Sequence, residues 1–364
     1  MTHPPLSALR VVSAGPGCTL QDGGRHGLLR FGVTGAGPMD PLAHATANLA
    51  VGQEARATAL EVGPGGLDLE AEDGPVTLAI AGAPAQIACE EGRFTAPLVL
   101  SLQPGQRLSV RPGASGTWTY VAAAGGLDVK PVLGSTATHT RSHMGGLNGG
   151  ALKTGDRIAL AAPSPTSSAA ARLVAPWLER ATDVIRVVLG PQDDYFVPDQ
   201  IEAFLTRIWS LSGRSDRMAY LLEGAPLVSA RGSDLVSDGV AQGAIQVPGS
   251  GTPIVLMADR QPTGGYPKIA TIIGADFGAF AQLRAGARFR FEAVDLTMAV
   301  KARRAQALAL SEPLSRLPLV RTHLTSHFLL SLNLVSGVVN ALDMAPEGND
   351  AGLGRADPLS GRMG

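Results

Sequence analysis

The chain has 364 residues and carries 30 basic against 31 acidic side chains, a formal net charge of −1 at pH 7. That balance supplies no broad positive field and excludes bulk electrostatic attraction to nucleic acid or to an anionic membrane surface. With 45% hydrophobic residues, and 45 glycines and 26 prolines scattered along it, the chain has the composition of a globular protein built from short strands and turns.

The N-terminal MTHPPLSALR has no apolar core, so no signal peptide is expected. LRVV at 9–12 is predicted as the first strand. It runs through Gly15-Pro16-Gly17 into TLQDGGRHG, where Gln21, Asp22 and Arg25 surround Gly23-Gly24. GPMD at 37–40 then brings Asp40 before Pro41, a helix start: a carboxylate N-cap followed by proline in the first turn. The alanine-rich helix that follows is predicted to stop at Gly52. Its N-terminus either offers N–H groups to an anion or simply caps a surface helix.

From 59 to 129 the pattern is β throughout, in short runs such as LEVG, LDLEA, VTLAIAG and LVLSL separated by Gly, Pro and Asp. Trp118 and Tyr120 share one strand face and are assigned to the core, because no basic groove accompanies them for base stacking. His139 and His143 stand four apart, but Gly134 and Gly145-Gly146 argue against the helix that metal ligation at that spacing needs, and no metal site is assigned. The cysteines, Cys18 and Cys89, form no C-x-x-C, which argues against a disulfide framework and fits a reducing cytoplasm.

AAPSPTSSAAA at 161–171 reads as a linker. Beyond it, IRVV at 185–188 followed by Gly190-Pro191 echoes LRVV followed by Gly15-Pro16. Glycine, a spacer and arginine also recur ahead of alternating runs in QPGQRLSV, KTGDRIAL and RAGARFRF. Both repeats suggest two β domains of related build. A helix is predicted over 198–205, and the polar cluster Arg214-Ser215-Asp216-Arg217 follows. ADRQPTGGYPKIA at 258–270 is flanked by the apolar runs PIVLM and IATII, and reads as strand, polar glycine turn, strand. Its polar side chains either face a ligand or are simply solvated. After Glu292 an amphipathic helix is predicted over 295–310 and a second helix over 322–342, with a frayed tail beyond. Residues 328–339 are too short and too polar a run to span a bilayer.

No G-x-S-x-G, Walker A or strand-linked G-x-G-x-x-G is present. What remains is a set of polar glycine turns. Arginine and lysine among bare backbone N–H groups suit carboxylate or phosphate ligands, and neighbouring aspartates suit orienting a cation, holding Mg²⁺ or accepting a proton.

These turns carry a resemblance. TLQDGGRHGLLRFGVTGAGPMDPLAHATANLAVG, GPQDDYF, RSDRMAYLLEG and GAIQVPGSGTPIVLMADRQPTGGYPKIA, in that order over 9–291, resemble the biotin-dependent carboxyltransferase-like family. Its members include the C component of bacterial 5-oxoprolinase, KipA, and the allophanate hydrolase subunit 2-like domain of urea amidolyase. The resemblance implies a mainly β fold: two β-rich domains with cyclophilin-like β-barrel character, few helices and a helical C-terminal extension. The expected boundaries are 1–160 for the first domain, 161–183 for the linker, 184–294 for the cyclophilin-like barrel, and 295–364 for the extension and tail.

For function, the resemblance implies ATP-dependent opening of the 5-oxoproline lactam to glutamate, with ATP and Mg²⁺ as co-substrate. A KipI/PxpB-like B component and a LamB/YcsF-like A component would complete the enzyme, and the chain alone would be inactive. The expected catalytic residues are Lys268, Arg260, Asp259 and Asp22. The expected substrate- or nucleotide-binding residues are Gln21, Arg25, Met39, Asp40, Arg217, Gln246, Gln261, Thr263, Gly264, Gly265 and Tyr266. Pro262 stands where the family often has threonine, and the region after Asp295 is longer than in a typical member. The chain has no Ala-Met-Lys-Met type biotinyl motif, so biotin is not expected on it. Two other functions compete: a carboxyltransferase component acting on urea or another amide, and a KipA-type regulator that binds a KipI-like protein.

Overall fold

The computed structural model describes residues 6–165 and 170–319. The predicted helix over 322–342 and the predicted tail lie outside the described residues.

The first half of the chain folds into stacked sheets. A six-stranded sheet runs in the order Arg157–Ala159, Ala8–Ala14, Leu67–Glu72, Arg107–Arg111, Gln86–Cys89, Gly92–Thr95. The strand Leu67–Glu72 shows why it forms: Leu67, Leu69 and Ala71 are buried, while the alternating Asp68, Glu70 and Glu72 face out. On that outer face Glu70 takes Arg10 at 2.8 Å and Arg107 at 2.7 Å, from the strands on either side. The second sheet has seven strands, in the order Thr19–Gln21, Ala59–Val62, Thr119–Ala123, Val76–Gly82, Leu98–Leu102, Ala171–Val174, Ser315–Pro318. Leu9, Val11, Leu69, Leu78, Leu100 and Leu108 belong to one core shared by the two sheets. Helix α1 (Pro41–Ala50) covers the other face of the second sheet, against Val76–Gly82 and Thr119–Ala123. Its alanines let the helix approach those strands closely, so Val76–Gly82 is buried on both faces.

The second half closes into a barrel in the order Val184–Leu189, Lys268–Ile272, Ala244–Gln246, Ile254–Leu256, Ala219–Glu223, Trp209–Leu211, Arg288–Ala293. Arg288–Ala293 returns parallel to Val184–Leu189. Trp209, Phe204, Phe280, Phe289 and Phe291 fill it, with Phe204 and Phe291 stacked at 4.7 Å between centroids. Helix α2 (Pro198–Thr206) plugs one side through Phe204, matching its predicted start. Helix α3 (Phe277–Ala281) is buried along its whole length.

The glycine–spacer–arginine recurrence marks strand starts as expected: strands begin at Arg107, Arg157 and Arg288. Gly105, Gly155 and Gly286 have φ of 82°, 92° and 79°, a left-handed turn that an L side chain adopts only under strain. The IRVV echo does not extend to pairing. Ala8–Ala14 has antiparallel neighbours on both sides, whereas Val184–Leu189 has one antiparallel and one parallel neighbour.

The stretch read as linker contains a strand. Ala171–Val174 joins the second sheet, and Ser164 Oγ accepts from the Thr77 amide at 2.9 Å. Helix α4 (Leu296–Ser311), capped by Asp295 at 2.7 Å from the Met298 amide, then leads back to Ser315–Pro318, which pairs with Ala171–Val174. The amphipathic stripe expected for α4 is not formed: no residue of the helix is buried, and Leu296, Met298 and Leu308 are exposed. Ala302, Ala305, Gln306 and Ala309 line a shallow 450 Å³ cavity instead of filling it with large apolar side chains. No helix among the described residues is long and apolar enough to cross a membrane.

Candidate functional site

The stretch 258–270 is not a hairpin. Its leading strand Ile254–Leu256 and trailing strand Lys268–Ile272 are separated in the barrel by Ala244–Gln246, which pairs with both. Residues 257–267 therefore cross over a strand, a span that a tight two-residue turn does not make. Local residue types signal a turn; they do not name the strand on the far side. Midway, Thr263–Gly264 pairs with Asp238–Gly239 in a small ribbon outside the barrel, with Gly264 opposite Asp238.

This crossing sets Gln246 directly opposite Lys268 on neighbouring strands. Both are buried at 2% exposure. Lys268 Nζ and Gln246 Nε2 have no hydrogen-bond partner among the described residues. Buried polar groups are normally paired, so two adjacent unpaired donors mark a place built for a ligand. The nearest carboxylate to the lysine is Asp238 on the ribbon, 3.7 Å away and 66% exposed. Gln192 fixes the lysine backbone: its Oε1 accepts from the Lys268 amide at 3.1 Å, and its own amide donates to the Lys268 carbonyl at 3.1 Å. Gly264 lies against Gln246. A Cβ there would come within 2.5 Å of Gln246 Nε2 and 3.3 Å of Gln261 Nε2.

Arg260 is also buried. Its Nε donates to Val240 O at 3.1 Å, and no carboxylate stands within ion-pair range among the described residues. Burial lowers its pKa from the usual range. Arg25 is similar: 3% exposed, with Nε on Val132 O at 3.1 Å and Nη1 unpaired. Burial lowers its pKa too, partly offset by Asp22 and Asp259. Gln261, Thr263 and Tyr266 are exposed on the crossing loop, with Gly265 half-buried.

Arg217 is placed differently, at the centre of a buried bridge between the halves. Its Nε and Nη2 reach Asp259 at 2.9 and 2.8 Å, Nη2 also donates to Gly37 O at 2.8 Å, and Nη1 pairs with Glu61. Burial opposes the Arg217 charge, but Asp259 and Glu61 outweigh it and keep the guanidinium strongly protonated. Glu61, fully buried, accepts from the Met39 amide at 2.8 Å and the Tyr120 hydroxyl at 2.7 Å. Burial raises its pKa, and Arg217 pulls it back only in part. Tyr120 accepts in turn from the Asp40 amide at 2.8 Å.

Several expected ligand residues therefore hold the protein together. Asp40 caps α1 at 3.2 Å from the Ala43 amide, pairs with Arg180, and accepts from Gln282 Nε2 at 2.9 Å. The anion-ready helix N-terminus is thus filled by the chain's own carboxylate. Met39 is core, and Gln21 is spent on Thr19, Thr138 O and the Gly37 amide. Asp22 accepts from Gly24 N, Ser135 Oγ and Thr136 N, and Asp259 is clamped by Arg217, so each has its oxygens engaged. His139 Nδ1 accepts from the Ser142 amide at 3.2 Å inside a tight turn.

Asp40 gives a pH test. Burial disfavours its charge, but Arg180, Gln282 and the Ala43 amide outweigh that and hold its pKa below the usual 3.8. Its stabilisation is complete above 3.8 and is lost as the pH falls through the lower folded value. Asp40→Asn is expected to cost about 1–3 kcal/mol in urea unfolding at pH 7. The difference from wild type should shrink in acid; a gap that stays constant to pH 2 contradicts the pairing.

The residues missed by sequence reading are Glu61, Tyr120 as a hydroxyl, Arg180, Gln192, Asp238 and Gln282. Glu61 left a signal: a carboxylate at a strand position flanked by Leu60 and Val62. A cleft of about 770 Å³ between the halves, lined by Trp118, Met218, Tyr220, Arg217 and Asp259, reaches the bridge but not Lys268 or Gln246. The unpaired donors sit apart from it, beside the ribbon, and the candidate site is placed there because the Arg217 and Asp259 side chains in the cleft are paired with each other, whereas Lys268 Nζ and Gln246 Nε2 have no hydrogen-bond partner among the described residues.

Comparison with known proteins identifies the family of the chain. The family model for the carboxyltransferase domain, subdomain A and B, matches residues 31–293. The chain is 40% identical over 301 residues to the C component of 5-oxoprolinase from Escherichia coli (strain K12), covering 82% of this chain and 95% of that one. It is 35% identical over 294 residues to the C component of 5-oxoprolinase from Haemophilus influenzae, covering 81% and 94%. The crystal structure of the Kluyveromyces lactis urea carboxylase matches with a TM-score of 0.78 at 27% identity, over 86% of this chain and 30% of that one. The chain thus belongs to the carboxyltransferase domain family, subdomains A and B.

Proposed function

We propose that the chain is the C component of a heteromeric, cytoplasmic, ATP-dependent 5-oxoprolinase. With an A component and a KipI-like B component it opens the 5-oxoproline lactam to L-glutamate. The observation that carries this reading is the unpaired Lys268 Nζ beside the unpaired Gln246 Nε2 in a buried position. The near-full-length similarity to the C components of two 5-oxoprolinases supports the substrate.

Both substrates of that reaction present oxyanions: the carboxylate of 5-oxoproline and the phosphates of ATP. Bound ATP supplies phosphoryl activation of the lactam oxygen, which makes the ring carbon open to water. Lys268 holds an oxyanion that gains charge as the reaction proceeds, and Gln246 donates a second hydrogen bond to it. Arg260, with no carboxylate partner among the described residues, adds positive potential on the same loop. Asp259 orients Arg217, which keeps the loop in register with the first half. Mg²⁺ arrives with the nucleotide.

Reconstitution tests the reading. The chain alone should be inactive, and with the A and B components it should release ADP and glutamate from 5-oxoproline. Lys268→Ala should abolish that release, whereas full activity in this variant would remove the lysine from the chemistry. The likeness to the K. lactis urea carboxylase favours a second reading, carboxyl transfer to an amide from a separate biotinylated carrier. Carboxylation of urea by the chain with such a carrier, and no 5-oxoproline turnover, would decide for it.

A further inference from the structure

The ribbon beside the site carries an exposed carboxylate that faces Lys268. Asp238 lies 3.7 Å from Lys268 Nζ, inside ion-pair range but too far for a hydrogen bond. Its other oxygen accepts only from the neighbouring Gly239 amide among the described residues, at 2.7 Å. The ribbon is short: Asp238 and Gly239 are exposed, and the chain is anchored beyond them, at buried Val240, whose carbonyl accepts from Arg260 Nε at 3.1 Å. It is a pair of two-residue strands, Asp238–Gly239 and Thr263–Gly264, with Leu235 N on Gly265 O at 2.8 Å and Val240 N on Pro262 O at 3.1 Å at its ends. The stretch leading into it is exposed, with Val236 at 94%. An exposed carboxylate on a thin ribbon, facing a buried lysine with no other partner among the described residues, is arranged to leave.

We propose that Asp238 is a displaceable counter-ion for Lys268. An entering oxyanion takes its place on the ammonium, and the ribbon of Asp238 swings outward as it does so. Asp238 thereby sets how tightly the site takes an anion and couples anion entry to ribbon opening. Other charged groups facing the lysine are absent among the described ion pairs, so the exchange is between one carboxylate and one incoming anion. This inference rests on the reading that Lys268 receives an oxyanion.

Inorganic phosphate, titrated into the full-length chain, is the probe. Occupancy is read as protection of Lys268 from acetylation by a neutral active ester, followed by peptide mass. Opening is read as hydrogen exchange at the Leu235 and Val240 amides. Removing one charge at this distance is expected to tighten phosphate by at least about threefold in Asp238→Asn, while Asp238→Glu should stay near wild type. In wild type, phosphate should speed exchange at both amides. Asp238 is exposed, so these variants leave the core intact. Unchanged or weaker phosphate binding in Asp238→Asn, or no phosphate binding by either protein, overturns the proposal. Lys268→Arg, which keeps the charge but cannot be acetylated there, is followed by exchange alone and should still respond to phosphate. Lys268→Met should not, and an unchanged response in Lys268→Met shows instead that the anion reading of the site is itself wrong.

Discussion

Lys268→Met should make the chain more stable and the reconstituted enzyme inactive. The lysine side chain is 3% exposed and its Nζ makes no hydrogen bond among the described residues. The nearby carboxylate, Asp238, is mostly in water and therefore screened. A buried cation without close pairing costs several kcal/mol of desolvation, and methionine fills similar space without that cost. The expected gain is about 1–3 kcal/mol in urea unfolding. The expected loss of turnover is on the order of 10² or more, the size seen when one oxyanion donor is removed. Buried polar groups left unpaired are concentrated at functional sites. Destabilisation by the methionine would show that Lys268 supports the fold, and the site would have to be sought elsewhere.

Arg217→Met should have the opposite sign and a larger size. Removing the guanidinium leaves Glu61 and Asp259 without the cation that bridges them, one fully buried and the other nearly so. Breaking a buried pair this way costs about 3–5 kcal/mol. Because Arg217 also donates to Gly37 O, the damage falls on the contact between the first half and the barrel. Burial already raises the Glu61 pKa above its usual 4.5, and loss of the arginine raises it further. The folded variant then binds a proton that the unfolded chain releases, from 4.5 up to that raised value. Its stability must therefore recover as the pH falls from neutral through that window. Urea unfolding of both proteins from pH 7 to pH 5 measures this. Adding Glu61→Gln to Arg217→Met should restore part of the loss at pH 7, whereas additive costs would contradict the shared bridge.

Much of the architecture was legible from local chemistry. Alternation in LDLEAE, the Asp40-Pro41 helix start and the glycine–spacer–arginine strand starts are each decided within a few residues, by side-chain period, capping and φ. The stretch 258–270 was also recognisable as special, because polar residues and glycines concentrate there between apolar strands. Its geometry was not. Whether two strands flanking a turn are neighbours depends on what the rest of the chain inserts between them, and here Ala244–Gln246 is inserted.

The same division separates the candidate residues. By itself the sequence determined which side chains are charged and which segments are strands, and it marked Lys268, Gln246 and Arg217 as worth placing. Only the tertiary structure decided their different fates. Arg217 meets two carboxylates from distant segments and becomes a structural bridge, while Lys268 meets none at hydrogen-bond distance among the described residues and is left open to a ligand. The physical reason is that a cation's role depends on the anions within a few ångströms of it. Glu61 and Asp238 reach those arginine and lysine side chains from far along the chain, through strand order that no local pattern encodes.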